Sequence, residues 1–440
     1  MTFDDLNLAT PLRNALSELG FTTPTPIQQK AFPVIMSGRD TVGIAQTGTG
    51  KTFAYLLPVL CQLRFSEQKE PRVLIVVPTR ELVVQLVGEI RKLTTYMTLR
   101  VEGVYGGTNI NTQKTLVGNG LDVLVATPGR LMDLALCRAL NLKYVRHFVI
   151  DEVDEMLALG FRAQLTTILD LLPRKRQNLL FSATMTEEVD EMINTFFNAP
   201  INVEPVRAGT PLERIEQSAY PTPNFHTKLN LLEHFLAEEE SMSKVLIFGA
   251  SKKMANLIHQ HLEAAFPEQF ELIHSNKSQN FRLNAVVKFE KGLCRGLIAT
   301  DLLARGLDVS DVTHVINVDT PDEPETYIHR IGRTGRADRE GAALLFFTEA
   351  EQPALADIET LMGRPIPLLP LPEEVQISTQ LTEEERYPDG VKNYLTAPPV
   401  RQGAFHEKTA KNKKVNLGNK NKYLREKKYK KPIKKRPKQR

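Results

Sequence analysis

Cysteine is scarce in this chain of 440 residues: Cys61, Cys137 and Cys294 stand far apart, without ligand spacing. A disulfide framework and a cysteine-based zinc site are therefore excluded, and the three are expected as reduced, mostly core residues of a cytoplasmic protein. Long apolar runs are missing too. None approaches the roughly 18 residues that cross a bilayer, so no membrane partner is expected. The opening Met1-Thr-Phe-Asp-Asp-Leu has neither a basic nor an apolar leader region, so no secretory signal is expected.

Net charge is only +4, but it is unevenly placed. Residues 401–440 hold 17 Lys/Arg and 2 Asp/Glu, which leaves −11 on residues 1–400. From Lys408 onward the tail has too few large apolar residues to fold alone and is expected to be disordered. Its lysines, with Tyr423 and Tyr429 among them, suit phosphates and bases. A solubilising tail is the blander reading. A length of 440 residues predicts two or three domains.

The most informative segment is Ala45-Gln-Thr-Gly-Thr-Gly-Lys51-Thr52, between an apolar run at Thr41–Ile44 and a helix-like Phe53-Ala-Tyr. Strand, glycine-rich turn and helix start together make a phosphate cradle. Thr47, Gly48, Thr49 and Gly50 line it. Lys51 is placed to reach the terminal phosphates of a nucleotide and Thr52 to ligate Mg²⁺. Ala45 stands where that motif usually has glycine.

Short β-branched runs recur at Val73–Val77, Val123–Ala126, Phe148–Ile150 and Leu179–Phe181, and again at Val245–Phe248, Leu272–His274, Leu297–Ala299, Val312–Val318 and Ala342–Phe347. Helical patterns at Arg80–Leu93, Phe161–Leu172, Lys252–Phe266 and Arg282–Lys291 lie between them. Continuous apolar strands alternating with helices predict α/β domains with parallel sheets. The connector Pro205–Pro211 separates two such domains, and Pro365–Pro372 ends the second. Polar strings follow the strands: Pro78-Thr-Arg-Glu-Leu, Thr127-Pro-Gly-Arg, Asp151-Glu-Val-Asp and Ser182-Ala-Thr. Ligands of open α/β sheets bind at these strand ends.

Asp151 and Glu152 close an apolar strand, which suits a metal-holding acid followed by a water-activating one. In His329-Arg-Ile-Gly-Arg-Thr-Gly-Arg336, Arg330, Arg333 and Arg336 recur every third residue between glycines. Arginine forks fit phosphate, so a charge-stabilising finger from the second domain is expected.

With these strings in order, residues 1–370 resemble a bacterial-type DEAD-box ATP-dependent RNA helicase. The match includes Gly20-Phe-Thr-Thr-Pro-Thr-Pro-Ile-Gln28, Val245-Leu-Ile-Phe-Gly-Ala-Ser and Thr300-Asp-Leu-Leu-Ala-Arg-Gly-Leu-Asp308. The resemblance implies two tandem RecA-like parallel-sheet α/β domains at 1–205 and 215–370. A linker at 206–214, an extension at 371–400 and the basic tail at 401–440 complete the chain. It implies ATP and Mg²⁺ as cofactors, with Phe21 and Gln28 at the adenine and Asp308 at the ribose. Lys51, Asp151, Glu152, Arg333 and Arg336 are implied as catalytic. Thr79, Arg80, Gly107, Thr127, Arg130, Arg282 and Thr300 are implied at the RNA backbone, and Asp154, Ser182, Thr184 and His329 in coupling the nucleotide to lobe closure. The implied partner is structured or duplex RNA bound without sequence reading, in ribosomal or degradation ribonucleoproteins, by a monomer.

Val153 stands where the family usually has Ala, and Gly249-Ala-Ser251 and His274-Ser-Asn-Lys also depart from its pattern. Two other readings are a DNA translocase of the same architecture and an ATP-gated RNA clamp that hydrolyses weakly.

Overall fold

The computed structural model describes residues 1–45, 48–204, 215–301, 312–335 and 341–386. It divides into two units, Met1–Thr382 and Glu383–Arg440. Of the second unit, only the short helix Glu383–Arg386 is described. The expected linker at 206–214 and the basic tail lie outside the described residues, as do Thr47, Asp308 and Arg336.

The larger unit holds two sheets, each the centre of a lobe. The first contains β1 (Thr41–Ile44), β2 (Val73–Val76), β3 (Val101–Val104), β4 (Val123–Ala126), β5 (His147–Asp151), β6 (Gln177–Ser182) and β7 (Ile201–Val203). Their order is β3-β4-β2-β5-β6-β1-β7, and every neighbouring pair is parallel. The second contains β8 (Ile215–Pro221), β9 (Val245–Phe248), β10 (Phe270–Ile273), β11 (Gly296–Ala299), β12 (His314–Asn317) and β13 (Gly341–Phe347). It runs β10-β11-β9-β12-β13-β8, again all parallel.

Burial on both faces explains the unbroken apolar runs. In β2, Val73 and Ile75 enter one core cluster while Leu74 and Val76 enter the other. In β9, Val245 and Ile247 face one cluster and Leu246 and Phe248 another. Helix Arg80–Leu93 forms as expected. Thr79 accepts from Leu82 N at 3.3 Å as its cap, and Val83, Leu86, Val87, Ile90 and Leu93 make its buried stripe.

Three strands escaped the apolar-run criterion: β3, β7 and β8. All sit at or beside sheet edges, where half-exposed faces accept polar residues such as Glu102, Asn202 and Glu216. The helix expected over Arg282–Lys291 starts earlier, at Gln279, because Ser278 caps it by accepting from Phe281 N at 3.3 Å. The cysteines also need correction: Cys294 is buried, Cys61 is partly so and Cys137 is exposed.

Packed chain continues beyond residue 370. Val375 enters the core cluster of Tyr220 and Phe346, Asn224 Nδ2 donates to the Ser378 carbonyl at 2.6 Å and Ser378 N donates to Thr227 Oγ1 at 3.0 Å. Among the described residues no helix is long and apolar enough to cross a membrane.

Candidate functional site

Because all strands of a sheet are parallel, their carboxyl ends share one edge, and the polar strings gather there. After β1 the chain turns through Gly48 and Gly50, with φ of 80° and 87°. Gly50 then starts the helix Lys51–Cys61. A side chain at Gly50 is barred twice, since its Cβ would lie 2.5 Å from Gln28 Nε2. Gln28 donates to the Gly50 carbonyl at 3.1 Å and accepts from Thr25 N at 3.0 Å, so it ties its own helix start to the loop. Phe21 is 46% exposed and meets Phe53 edge-on, with centroids 5.1 Å apart.

Lys51 is buried, and its Nζ has no hydrogen-bond partner among the described residues. A buried ammonium without a partner is costly unless a ligand supplies one. Its charge acts on Asp151, Glu152 and Asp154. Asp151 ends β5. Its Oδ1 accepts from Glu152 N at 3.0 Å and its Oδ2 accepts from the Tyr55 hydroxyl at 2.8 Å. Burial raises its pKa against the pull of Lys51 and those hydrogen bonds. Glu152 adopts a left-handed backbone, φ 56° and ψ 49°, and opens the helix Val153–Ala158. Such strain in a non-glycine residue clusters at working sites. Burial, with Glu155 and Asp151 nearby, pushes its carboxyl up to about 8, while Arg333 and Lys51 oppose the rise. Val153 is fully buried in the core cluster.

Asp154 Oδ2 gathers Ala183 N at 3.1 Å, Thr184 N at 2.9 Å and Thr184 Oγ1 at 2.9 Å. Burial would raise its pKa, but the charges of His329 and Lys51 and the bonds from Thr184 outweigh that and lower it. Ser182, expected to act with Thr184, is buried with no partner for its hydroxyl among the described residues.

The second lobe meets this cluster. His329 Nδ1 lies 2.9 Å from Glu155 Oε1, and its Nε2 lies 4.0 Å from Asp154 Oδ2. Arg333 is buried one turn on, and its Nε donates to the His329 carbonyl at 3.2 Å. Arg330 has a different task. It grips Asp301 through Nε at 2.5 Å and Nη2 at 2.7 Å, donates to Asn317 and to the Asp319 carbonyl, and lies over the Phe248 ring. It braces the ends of three strands, with four of its five N–H donors already engaged.

The residues expected at RNA line the same edge. Arg80 lies against Gly107, whose Cβ would stand 2.0 Å from Arg80 Nη1 and whose φ is 80°. Thr127 follows β4 and Thr300 follows β11, both buried. Arg130 is engaged within its lobe, donating to Gln113 Oε1 at 2.7 Å and to the Thr108 carbonyl at 2.9 Å. Arg282 crosses to the first lobe, where it pairs with Glu81; Gln279 Nε2 donates to the same oxygen at 3.0 Å. Tyr55, Glu81 and Glu155 carry contacts that no motif assigned. Glu81 lies inside a quoted string, but its partner is 201 positions away.

A family model described as DEAD/DEAH box helicase matches residues 25–192, and one described as helicase conserved C-terminal domain matches residues 227–338. The RNA helicase CrhR of Synechocystis is 37% identical over 383 residues, covering 87% of this chain and 77% of its own. The chain belongs to the DEAD/DEAH box helicase family. Another relative, the DEAD-box ATP-dependent RNA helicase CshA of Bacillus subtilis, is 36% identical over 364 residues, covering 83% of this helicase-family chain and 73% of its own. Among solved structures, S. cerevisiae Dbp5 bound to RNA and ADP BeF3 superposes with a TM-score of 0.77 at 28% identity, covering 84% of this chain and 96% of that one. Mss116p bound to ssRNA and AMP-PNP gives 0.77 at 30% identity, covering 88% and 81%.

Proposed function

We propose that this chain is an ATP-dependent RNA helicase, in which RNA-stimulated ATP hydrolysis drives local separation of RNA strands or remodelling of ribonucleoproteins. The observation that carries this is the buried Lys51 ammonium, without a hydrogen-bond partner among the described residues, beside Asp151 and Glu152 and closed over by His329 and Arg333 of the other lobe. The relatives are named as RNA helicases, and the structural neighbours hold RNA together with a nucleotide.

The phosphates of ATP complete the environment of Lys51 and of the amides that open the Lys51–Cys61 helix. Gln28, already joined to the Gly50 carbonyl, carries the adenine contact to the phosphate loop, with Phe21 beside it. Thr47 and Asp308 take nucleotide roles, and Arg336 a catalytic one, on the family pattern alone.

The donor set fits Mg²⁺. Thr52 and Asp151 offer hard oxygen ligands, and no cluster of three or more His, Cys, Asp or Glu stands ready to cage a metal among the described residues. Magnesium is usually held by one or two carboxylates together with substrate phosphates and waters. Bound there, it supplies charge neutralisation to the phosphates.

Glu152 orients the attacking water and takes its proton, for which it must be ionised. Arg333 lowers the Glu152 pKa, so lobe closure itself favours the working base. Asp154 carries the same event to Thr184 and His329. RNA lies along Thr79, Arg80, Gly107, Thr127 and Thr300, held by backbone contacts that do not read sequence. The partners are structured RNAs, among them those of ribosomal or degradation ribonucleoproteins, met by a monomer in the cytoplasm.

The test is steady-state ATP hydrolysis with and without a mixed-sequence RNA. Hydrolysis that rises severalfold with RNA and disappears in Lys51→Ala is expected. ATP binding without hydrolysis under either condition would reject the reading.

A further inference from the structure

Tyr55 belongs to none of the family strings, yet its hydroxyl reaches the centre of the site. It sits one turn after Lys51, is fully buried, and donates to Asp151 Oδ2 at 2.8 Å. One buried hydroxyl thus fixes a side chain assigned to the metal. Its ring has little freedom. The ring centroid lies 5.1 Å from that of Phe181 on β6. The Phe181 ring in turn fills the space beside Gly43 on β1, where a Cβ would stand 2.5 Å from Phe181 Cε1. A buried hydroxyl is costly unless bonded, and a phenylalanine would pack here without that cost. The polar atom therefore has its use in its partner. Asp151 Oδ1 is held by Glu152 N at 3.0 Å, so both carboxylate oxygens are anchored while each keeps a lone pair.

We propose that Tyr55 is a positioning residue, which holds Asp151 in register for the divalent ion that accompanies ATP. The inference rests on the functional reading above. The phenol acts as a fixed donor, since an ordinary tyrosine hydroxyl, with a pKa of about 10, keeps its proton at neutral pH.

The test uses the full chain and its Tyr55→Phe variant, which keeps the ring and removes only the hydroxyl. Binding of a fluorescent, non-hydrolysable ATP analogue is measured while Mg²⁺ is titrated, and again in excess chelator. The expected result is a Mg²⁺ midpoint raised about tenfold, the scale of one missing hydrogen bond to a charged group, with chelator affinity changed less than about twofold. An unmoved midpoint would overturn the inference. So would an equal loss of affinity with and without Mg²⁺, since that would make Tyr55 a packing residue. Failure of the parent chain itself to bind the analogue would instead reject the functional reading, and this inference with it.

Discussion

His329 Nδ1 stands 2.9 Å from Glu155 Oε1 and joins the second lobe to the first through a buried contact. Burial alone would lower the histidine pKa, but the hydrogen bond and charge of Glu155, with Asp154 beyond, outweigh it and raise the value above 6.5. A histidine whose pKa rises on forming a contact strengthens it below its free value, and the gain is lost as pH climbs through the raised one. Lobe association without nucleotide is therefore expected to weaken as pH rises above 6.5. Energy transfer between dyes on the two lobes should fall over that range. In His329→Gln it should start lower and lose that fall.

Glu152 gives a second pH dependence. Its pKa rises from 4.5 to about 8 in the folded protein. Between those values the folded chain keeps a proton that the unfolded chain releases, so this group makes stability fall with pH. Thermal melts of the nucleotide-free protein between about pH 5 and 8 should show a steeper decline for the parent than for Glu152→Gln. The same variant should bind ATP and RNA but lose hydrolysis by at least about a hundredfold, the usual scale of a missing general base.

Gly43 is expected to reject even a methyl group. Its Cβ would lie 2.5 Å from the Phe181 ring, in the middle of β1 and against a side chain packed on Tyr55. Gly43→Ala should cost about 1–3 kcal/mol in chemical denaturation, as overpacked cores do. Nucleotide affinity should fall with it, because the displaced ring carries the Tyr55 hydroxyl away from Asp151.

Much of this architecture can be read along the chain, because central parallel strands are apolar on both faces. The bounds of Thr41–Ile44, Val123–Ala126, Val245–Phe248 and helix Arg80–Leu93 are the expected ones. Edge strands are different: Val101-Glu-Gly-Val104 and Ile215-Glu-Gln-Ser-Ala-Tyr-Pro221 resemble loops to any criterion based on apolar runs. The site strings are visible because glycines, arginines and acids cluster at strand ends. What they touch is not. Arg330 and Arg333 look alike in sequence, yet Arg330 spends its donors on Asp301, Asn317 and Asp319. Tyr55 lies 96 positions before Asp151 and carries no motif.

The basic tail makes a prediction from charge alone. Seventeen Lys/Arg against two acids in residues 401–440 give the rest of the chain a net −11. Phosphate neutralisation by the tail implies a salt dependence added to that of the RNA contacts in the body. For single-stranded RNA, every phosphate that the tail no longer neutralises should flatten the log–log salt slope by about 0.7. Removal of residues 401–440 should therefore weaken RNA binding at low salt and reduce the slope, with hydrolysis at saturating RNA retained. An unchanged slope in a filter-binding series would assign the tail to something other than RNA.

Arg282 and Glu81 supply the last prediction. Both side chains are more than nine-tenths buried and they pair across the lobes, with Gln279 donating to the same Glu81 oxygen at 3.0 Å. Burial lowers the arginine pKa, against the pull of Glu81. Removal of one member of such a pair leaves the other charged, buried and uncompensated, at a cost of about 3–5 kcal/mol. Removal of both relieves that penalty. If the pair acts as a unit in lobe closure, Arg282→Ala and Glu81→Ala should each cut RNA-stimulated hydrolysis, and the double variant should lose no more than the worse single one. A double-mutant cycle on kcat reads this directly. Additive losses would mean that Arg282 meets RNA independently of Glu81, and that the pairing between the lobes contributes nothing to the rate.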